Sequence, residues 1–201
     1  VEFSDGKLIE RVRQKDKEAF VAIFEKYKDK IFRYLYGYLR DYERAREFTL
    51  DTFMKAYSCI DQYQERGKFS SWLYAIARNK AKREIENRSK HKIVSLDAAV
   101  YQEGAVALVD LIEDNRQRPD YRARVKELEE AVYDVLDKLD EKYREALILC
   151  DMEGLSYIEA AKIVNTNPIT IGTRVRRARK MFYDQLKRYK KRVKKEARDE
   201  E

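Results

Sequence analysis

Arginine recurs at 174, 176, 177 and 179 in the segment Pro168-Ile-Thr-Ile-Gly-Thr-Arg-Val-Arg-Arg-Ala-Arg179, with Lys180 directly behind. A guanidinium donates through a planar fork that fits guanine O6 and N7, or the oxygens of a phosphate. The chemistry on offer is therefore recognition of nucleic acid. Ile171, Val175 and Ala178 keep a 3–4 spacing and face inward, leaving Thr170, Thr173, Arg174, Arg176, Arg177 and Lys180 for a partner. The residues just upstream supply a first helix and a turn. Ser156 is an N-cap with Glu159 at the capping-box position, and Ile158, Ala161 and Ile163 give that helix apolar contacts. Asn165-Thr166-Asn167 suits a tight turn, and Pro168 sits where a second helix begins. Together they predict a helix-turn-helix whose second helix enters the DNA major groove. The competing reading is an amphipathic helix with a solvated basic face.

Other chemistries find little support. His91 is the sole histidine, which nearly removes His-based metal sites and Ser-His-Asp triads. Cys59 and Cys150 lie in apolar helical stretches without a Cys-x-x-Cys, and read as small core residues of a reducing compartment. No Walker loop or Gly-x-Gly-x-x-Gly occurs, and the carboxylates read as helix-surface charges. An enzyme acting on nucleic acid would need acids clustered in an apolar setting, and none are. No catalytic residue, cofactor, metal or small-molecule substrate is expected.

Whole-chain composition agrees. The 201 residues are 44% hydrophobic and 40% charged, with a net charge of +7 that favours a polyanionic partner. Two prolines and six glycines argue for long helices. No apolar run approaches the roughly 20 residues of a membrane span, and no segment resembles a signal peptide, so the expected location is cytoplasmic.

Periodicity divides the chain into two helical regions. In residues 1–88, Leu8, Ile9 and Val12 open a first helix. Phe20, Ile23, Phe24, Tyr27, Ile31, Leu35 and Tyr38 mark a long second one. The pattern breaks at Asp41 and resumes with Ala45, Phe48, Thr49, Phe53, Ala56, Tyr57 and Ile60. After the turn at Gly67, a further helix begins at Phe69, with Trp72, Leu73, Ile76 and Ala77 inward. Residues 89–122 lose periodicity and carry Asp97, Glu103, Asp110, Glu113, Asp114 and Asp120, an acidic linker in a basic protein. Its acidity suits either a solvated spacer or a functional element. In residues 123–189, Leu128, Ala131, Val132, Val135, Leu136 and Leu139 form one helix. Glu141 to Met152 forms another, with Ala146, Leu147, Leu149 and Cys150 inward, before the helix-turn-helix. Residues 190–201 read as a charged, frayed or disordered tail. The expected fold is all-α: two small helical domains joined by a flexible acidic linker, the second holding the helix-turn-helix.

Several segments resemble the extracytoplasmic-function sigma factors of bacterial RNA polymerase. Asp16-Lys-Glu-Ala-Phe-Val-Ala-Ile-Phe-Glu-Lys-Tyr27 is similar to the family's opening helix, and Phe69-Ser-Ser-Trp-Leu-Tyr-Ala-Ile-Ala-Arg-Asn79 to its most recognisable stretch. Leu139-Asp-Glu-Lys-Tyr-Arg-Glu-Ala-Leu147, Gly154-Leu-Ser-Tyr-Ile-Glu-Ala-Ala161 and Thr170 to Arg179 match the second domain. The resemblance implies a promoter-specificity subunit that binds core polymerase, reads −35 and −10 elements and helps melt the duplex. It implies that Tyr63, Arg66, Gly67, Lys68 and Phe69 form a loop capturing a flipped −10 base. Arg78, Asn79, Lys80, Lys82 and Arg83 would serve the same element. Trp72 stands open between core packing and DNA contact. It implies −35 reading by Thr170, Thr173, Arg174, Arg176, Arg177 and Lys180, with base and phosphate roles among the arginines undivided.

The resemblance also implies polymerase docking through Glu47, Leu50, Asp51 and Met54, against the clamp helices of the largest subunit, with the flap of the second-largest as a further contact. Here the chain departs from the family. Ala45-Arg-Glu-Phe-Thr-Leu-Asp-Thr-Phe53 keeps two acids but places Leu50 where Gln is usual. Ile169 and Gly172 also replace the usual Gly and basic residue. The linker would thread polymerase channels, and an anti-sigma protein would hold the factor inactive. A stand-alone helix-turn-helix repressor or activator is the alternative, and predicts symmetric half-sites.

Overall fold

Local chemistry sets the helix boundaries throughout. The computed structural model describes residues 4–64, 67–90 and 130–199, and the chain divides into two compact units, Val1–Asp114 and Asn115–Glu201. Of the expected linker, residues 91–122 lie outside the described residues, as does Arg66, whereas residues 89 and 90 still belong to the helix that ends at Lys90. Every regular element among the described residues is helical.

The first unit contains α1 (Asp5–Arg13), α2 (Lys17–Leu39), α3 (Tyr42–Ser58), a 3₁₀ turn (Ile60–Gln62) and α4 (Phe69–Lys90). Asp16 caps α2 by accepting from the N–H groups of Glu18 and Ala19 at 3.0 and 3.2 Å. Arg40 ends it in a left-handed conformation, and Asp41 starts α3 by accepting from Arg44 N–H at 3.1 Å. Two capped ends within two residues turn the chain back, so α3 packs along α2. The core between them is aromatic: Phe24 meets Phe53 edge-on at 4.9 Å, and Tyr34 meets Tyr74 of α4 at 5.4 Å. Buried Thr49 and Thr52 donate to the carbonyls of Ala45 and Phe48, which keeps both hydroxyls satisfied.

The inward face of α4 is Phe69, Leu73, Tyr74, Ala77 and Ala81. Trp72 and Ile76, expected inside, are half-buried at its margin because Tyr74 occupies the centre. Phe20 is likewise half-buried, tilted against Tyr57 at 4.8 Å.

In the second unit, α5 covers residues 130–137, α6 is Glu141–Leu147, α7 is Tyr157–Val164 and α8 is Pro168–Asp199. The single helix expected from Glu141 to Met152 is not uniform: beyond Leu147 it widens into a π turn over Ile148–Met152. That wider turn leaves Cys150 half-buried while Ile148 and Leu149 go fully inside. Gly154 then takes φ +68° and lets the chain reverse into α7.

Two further expectations change. Ile158 is 60% exposed, and Ala160, Ala161, Ile163 and Val164 carry the core face instead. Residues 190–199 continue α8 rather than fraying, since Lys, Arg, Glu and Ala are all strong helix formers.

Candidate nucleic-acid interface

The helix-turn-helix is built from complementary caps. Ser156 Oγ accepts from Glu159 N–H at 3.3 Å, and the Glu159 carboxylate accepts from Ser156 N–H at 2.8 Å. Asn165 ends α7 at φ 54°, ψ 60°, the left-handed region where Asn is tolerated. Asn167 Oδ1 then accepts from Thr170 N–H at 2.7 Å and fixes the first turn of α8. Ile171, Val175 and Ala178 are wholly buried, which decides the rotation of α8 about its axis.

That rotation turns Arg176, Arg177 and Lys180 to solvent and leaves Thr170, Thr173 and Arg174 half-exposed. Ile169, one turn earlier, is 83% exposed. Thr170, Thr173, Arg174 and Arg177 share a concavity of about 290 Å³ with Ile169 and with Lys142 and Tyr143 of α6. Arg177 donates to Tyr143 Oη at 3.5 Å. Lys142 and Tyr143 have no counterpart in the sequence expectation for this face. Their only signal was membership of the Leu139–Leu147 segment.

Arg179 belongs elsewhere. Both its Nε and Nη2 reach the Asp151 carboxylate, at 2.8 and 2.7 Å, and that hydrogen-bonded acid raises the guanidinium pKa still further. The π turn places Asp151 where it can make this bidentate contact. Gly172 faces Tyr157, whose ring would lie 3.3 Å from a Cβ at that position, so a larger residue there would press on α7.

In the first unit, α4 carries Asn79, Lys82 and Arg83 exposed, with Arg78 and Lys80 half-exposed. Asn79, Lys80 and Arg83 line a groove of about 640 Å³ whose other wall is Arg44, Glu47, Phe48, Asp51 and Lys55 of α3. Residues expected to read DNA and residues expected to dock polymerase thus share one groove. Lys80 pairs with Asp51 and lies over the Phe48 ring, 5.1 Å from its centroid. Desolvation lowers its pKa, with Glu47 and Glu84 pulling the other way. Arg44 bridges to Glu84 at 2.6 Å across the same groove. Lys82 lies 3.6 Å from Glu86 along the helix. Glu47 is exposed and Met54 half-exposed, but Leu50 is only 9% exposed and serves mainly as core.

The loop before α4 is organised from within. Tyr63 is 6% exposed; its hydroxyl donates to Gly67 O at 2.7 Å and its carbonyl accepts from Arg13 Nη2 at 2.7 Å. Its ring packs on Phe69 and Trp72, each 5.3 Å away, and Phe69 is itself buried. Both rings hold the loop in place, whereas Gly67 and Lys68 are exposed. A second concavity of about 320 Å³ lies here, lined by Asp5, Gly6, Ile9, Tyr27, Tyr63, Gly67, Lys68, Phe69 and Ser70. Tyr27 donates to Asp5 at 2.5 Å, and burial together with that acid raises its pKa. Asp5 and Arg13 are absent from the sequence expectation, and Tyr27 entered it only as a core position, because their contacts here act across 22 to 50 residues of chain.

Among the described residues no group of His, Cys, Asp and Glu could hold a metal, and no helix is long and apolar enough to cross a membrane.

Comparison with known proteins follows the same two-unit division. The model of the Sigma-70 region 2 family matches residues 23–91, and that of Sigma-70, region 4 matches residues 129–182. The RNA polymerase sigma-H factor of Pseudomonas aeruginosa is 32% identical over 178 residues, spanning 87% of this chain and 90% of its own length. The ECF RNA polymerase sigma factor SigW of Bacillus subtilis is 33% identical over 181 residues, spanning 90% and 96%. Among solved structures, the sigma factor RpoE in complex with the anti-sigma factor NepR from Bartonella quintana aligns with a TM-score of 0.63 at 21% identity, covering 84% of this chain and 96% of that one. CnrH in complex with the cytosolic domain of CnrY aligns at 0.64 and 20% identity, covering 91% and 97%.

Proposed function

We propose a division of labour for this chain, which belongs to the extracytoplasmic-function sigma factors of RNA polymerase: α8 reads the −35 element, α4 and its preceding loop read the −10 element, and α3 docks on core polymerase. As a sigma factor, the chain confers promoter specificity on a polymerase that does the chemistry. The observation that carries the −35 assignment is the rotation of α8, whose buried Ile171, Val175 and Ala178 commit the opposite, basic face to solvent. Thr170, Thr173, Arg174, Arg176, Arg177 and Lys180 provide its contacts, and Lys142 adds a cation from α6.

For the −10 element, Asn79, Arg83 and Lys82 present amide and cationic groups on α4, and Lys68 does so beside Gly67. Tyr63 and Phe69 act as the floor of the loop: their burial keeps it shaped to receive a base, and Arg66 contributes from the same loop as a phosphate contact. Arg78 and Lys80 reinforce the positive field. Glu47 and Asp51 offer carboxylates for polymerase, with Met54 as the apolar contact. Leu50 supports this surface from below.

The factor works in the cytoplasm, and an anti-sigma protein restrains it, as one accompanies the solved relative from Bartonella quintana. Co-purification of this chain with a cytoplasmic protein that releases it on induction tests that restraint.

Promoter melting by holoenzyme tests the −10 assignment. Asn79→Ala and Lys68→Ala should form closed complexes normally and open them poorly, as permanganate reactivity of −10 thymines would report. Normal melting by both variants refutes the loop and α4 assignment. Arg176→Ala should weaken use of a −35-dependent promoter; unchanged use counts against its place in the −35 contact.

A further inference from the structure

We propose that Ile169 is a specificity residue that packs against the 5-methyl group of a thymine in the −35 element. The inference rests on the reading of α8 as the −35 helix. A single exposed apolar side chain is ordinary on a protein surface, so 83% exposure alone carries nothing. Position is what distinguishes this one. Ile169 is the second residue of α8, in the turn held by the Asn167 cap, and recognition helices contact base edges through their N-terminal residues.

Its surroundings are those of a DNA contact. Ile169 lies on the rim of the concavity shared with Lys142, Thr170, Arg174 and Arg177, whose cations would hold phosphates on either side. The polar alternatives at this edge are partly spent. Thr173 Oγ1 donates to the Ile169 carbonyl at 3.0 Å, which engages that hydroxyl within the helix. An aliphatic group therefore leads α8 into the groove. In the major groove the apolar feature of a base pair is the thymine methyl, so an A·T pair is what Ile169 can favour. Burying one methyl against an aliphatic chain changes affinity by about fourfold.

The experiment replaces each thymine of the −35 element, on either strand, singly by uracil in a promoter that the holoenzyme uses. Equilibrium binding is then measured with holoenzyme carrying the full chain. At one position, or two adjacent ones, uracil should weaken binding by about fourfold. Ile169→Ala should bind the thymine promoter correspondingly less well and be indifferent to uracil there, and Ile169→Val should retain part of the preference. A side chain this exposed leaves folding unaffected, which thermal melts of the variants would verify.

If all uracil substitutions are neutral, or Ile169→Ala keeps the uracil penalty, or the element contains no A·T pair, the inference is overturned. Scrambling the whole −35 element separates the two levels. If scrambling weakens binding but uracil does not, Ile169 alone is misassigned; if scrambling has no effect, the −35 reading of α8 falls with it.

Discussion

Lys80 ties two helices at one point: its ammonium pairs with Asp51 of α3, lies over Phe48 and borders the same groove as Asn79, so the surfaces proposed for docking and for −10 reading adjoin there. The two cysteines differ for comparable local reasons. Burial and the neighbouring Asp151 push the Cys150 thiol up to about 11. Side-chain hydrogen bonds with Ser58 and with Lys55 hold the Cys59 thiol below its usual value. At pH 8 only about one part in a thousand of Cys150 is thiolate, and the thiolate is the reacting form. Iodoacetamide should therefore label Cys59 at least tenfold faster than Cys150, read by peptide mass spectrometry. Equal rates would contradict the two environments. Sequence placed both cysteines in apolar helical stretches, which was true of neither fully, because the α3 end and the π turn are tertiary outcomes.

At the scale of elements, caps govern. The Ser156–Glu159 box starts α7, and Ser156→Ala should cost about 1 kcal/mol of stability in urea melts; a change within error would show the box idle. Asp16 offers a pH test. Helix N–H groups and Arg11 hold its carboxyl below the ordinary value. A folded-state pKa lowered in this way adds stability above the unfolded value and loses it as pH falls through the folded one. Asp16→Asn should thus be less stable than the parent at pH 7, and the gap should begin to narrow as pH falls through the ordinary carboxyl value of about 4 and go on narrowing below it. A gap that stays constant from pH 7 down to the most acidic pH at which both proteins remain folded would refute the charge argument.

The Ser156 cap and the Asn165–Pro168 turn were legible because Ser, Asn and Pro at helix ends act over three or four residues; Asp16 was not read as a cap. Ile171, Val175 and Ala178 were legible for the same reason, as a repeat within one helix. Ile158 was not: its outward turn depends on which face of α7 meets α8, and Tyr157 over Gly172 belongs to that meeting. The extent of α8 was misjudged because dense charge was read as disorder, although those side chains favour helix. Tyr63 was named for its match to a loop, yet its carbonyl is held by Arg13, 50 residues away, while its ring packs on Phe69 and Trp72.

The molecule as a whole presents basic helical faces on each of two units within a chain of net charge +7. Promoter binding should weaken steeply with salt, because cations at phosphates release condensed counterions. Arg177→Ala should lower the salt slope by about 1 if its guanidinium grips a phosphate, and leave the slope unchanged while relaxing base preference if it reads guanine. Binding curves across a salt series, on matched and mismatched −35 elements, separate these outcomes. A slope and a preference both unchanged would remove Arg177 from the interface.

Transcription in vitro decides whether this chain directs polymerase to its own promoters. Core polymerase is supplied with fragmented genomic DNA of the source organism, with and without this protein, and transcript starts are mapped. New starts should appear only with the protein and share two upstream elements. No new starts, together with tight binding of a palindromic duplex by the protein alone, would contradict that and point to a free-standing regulator.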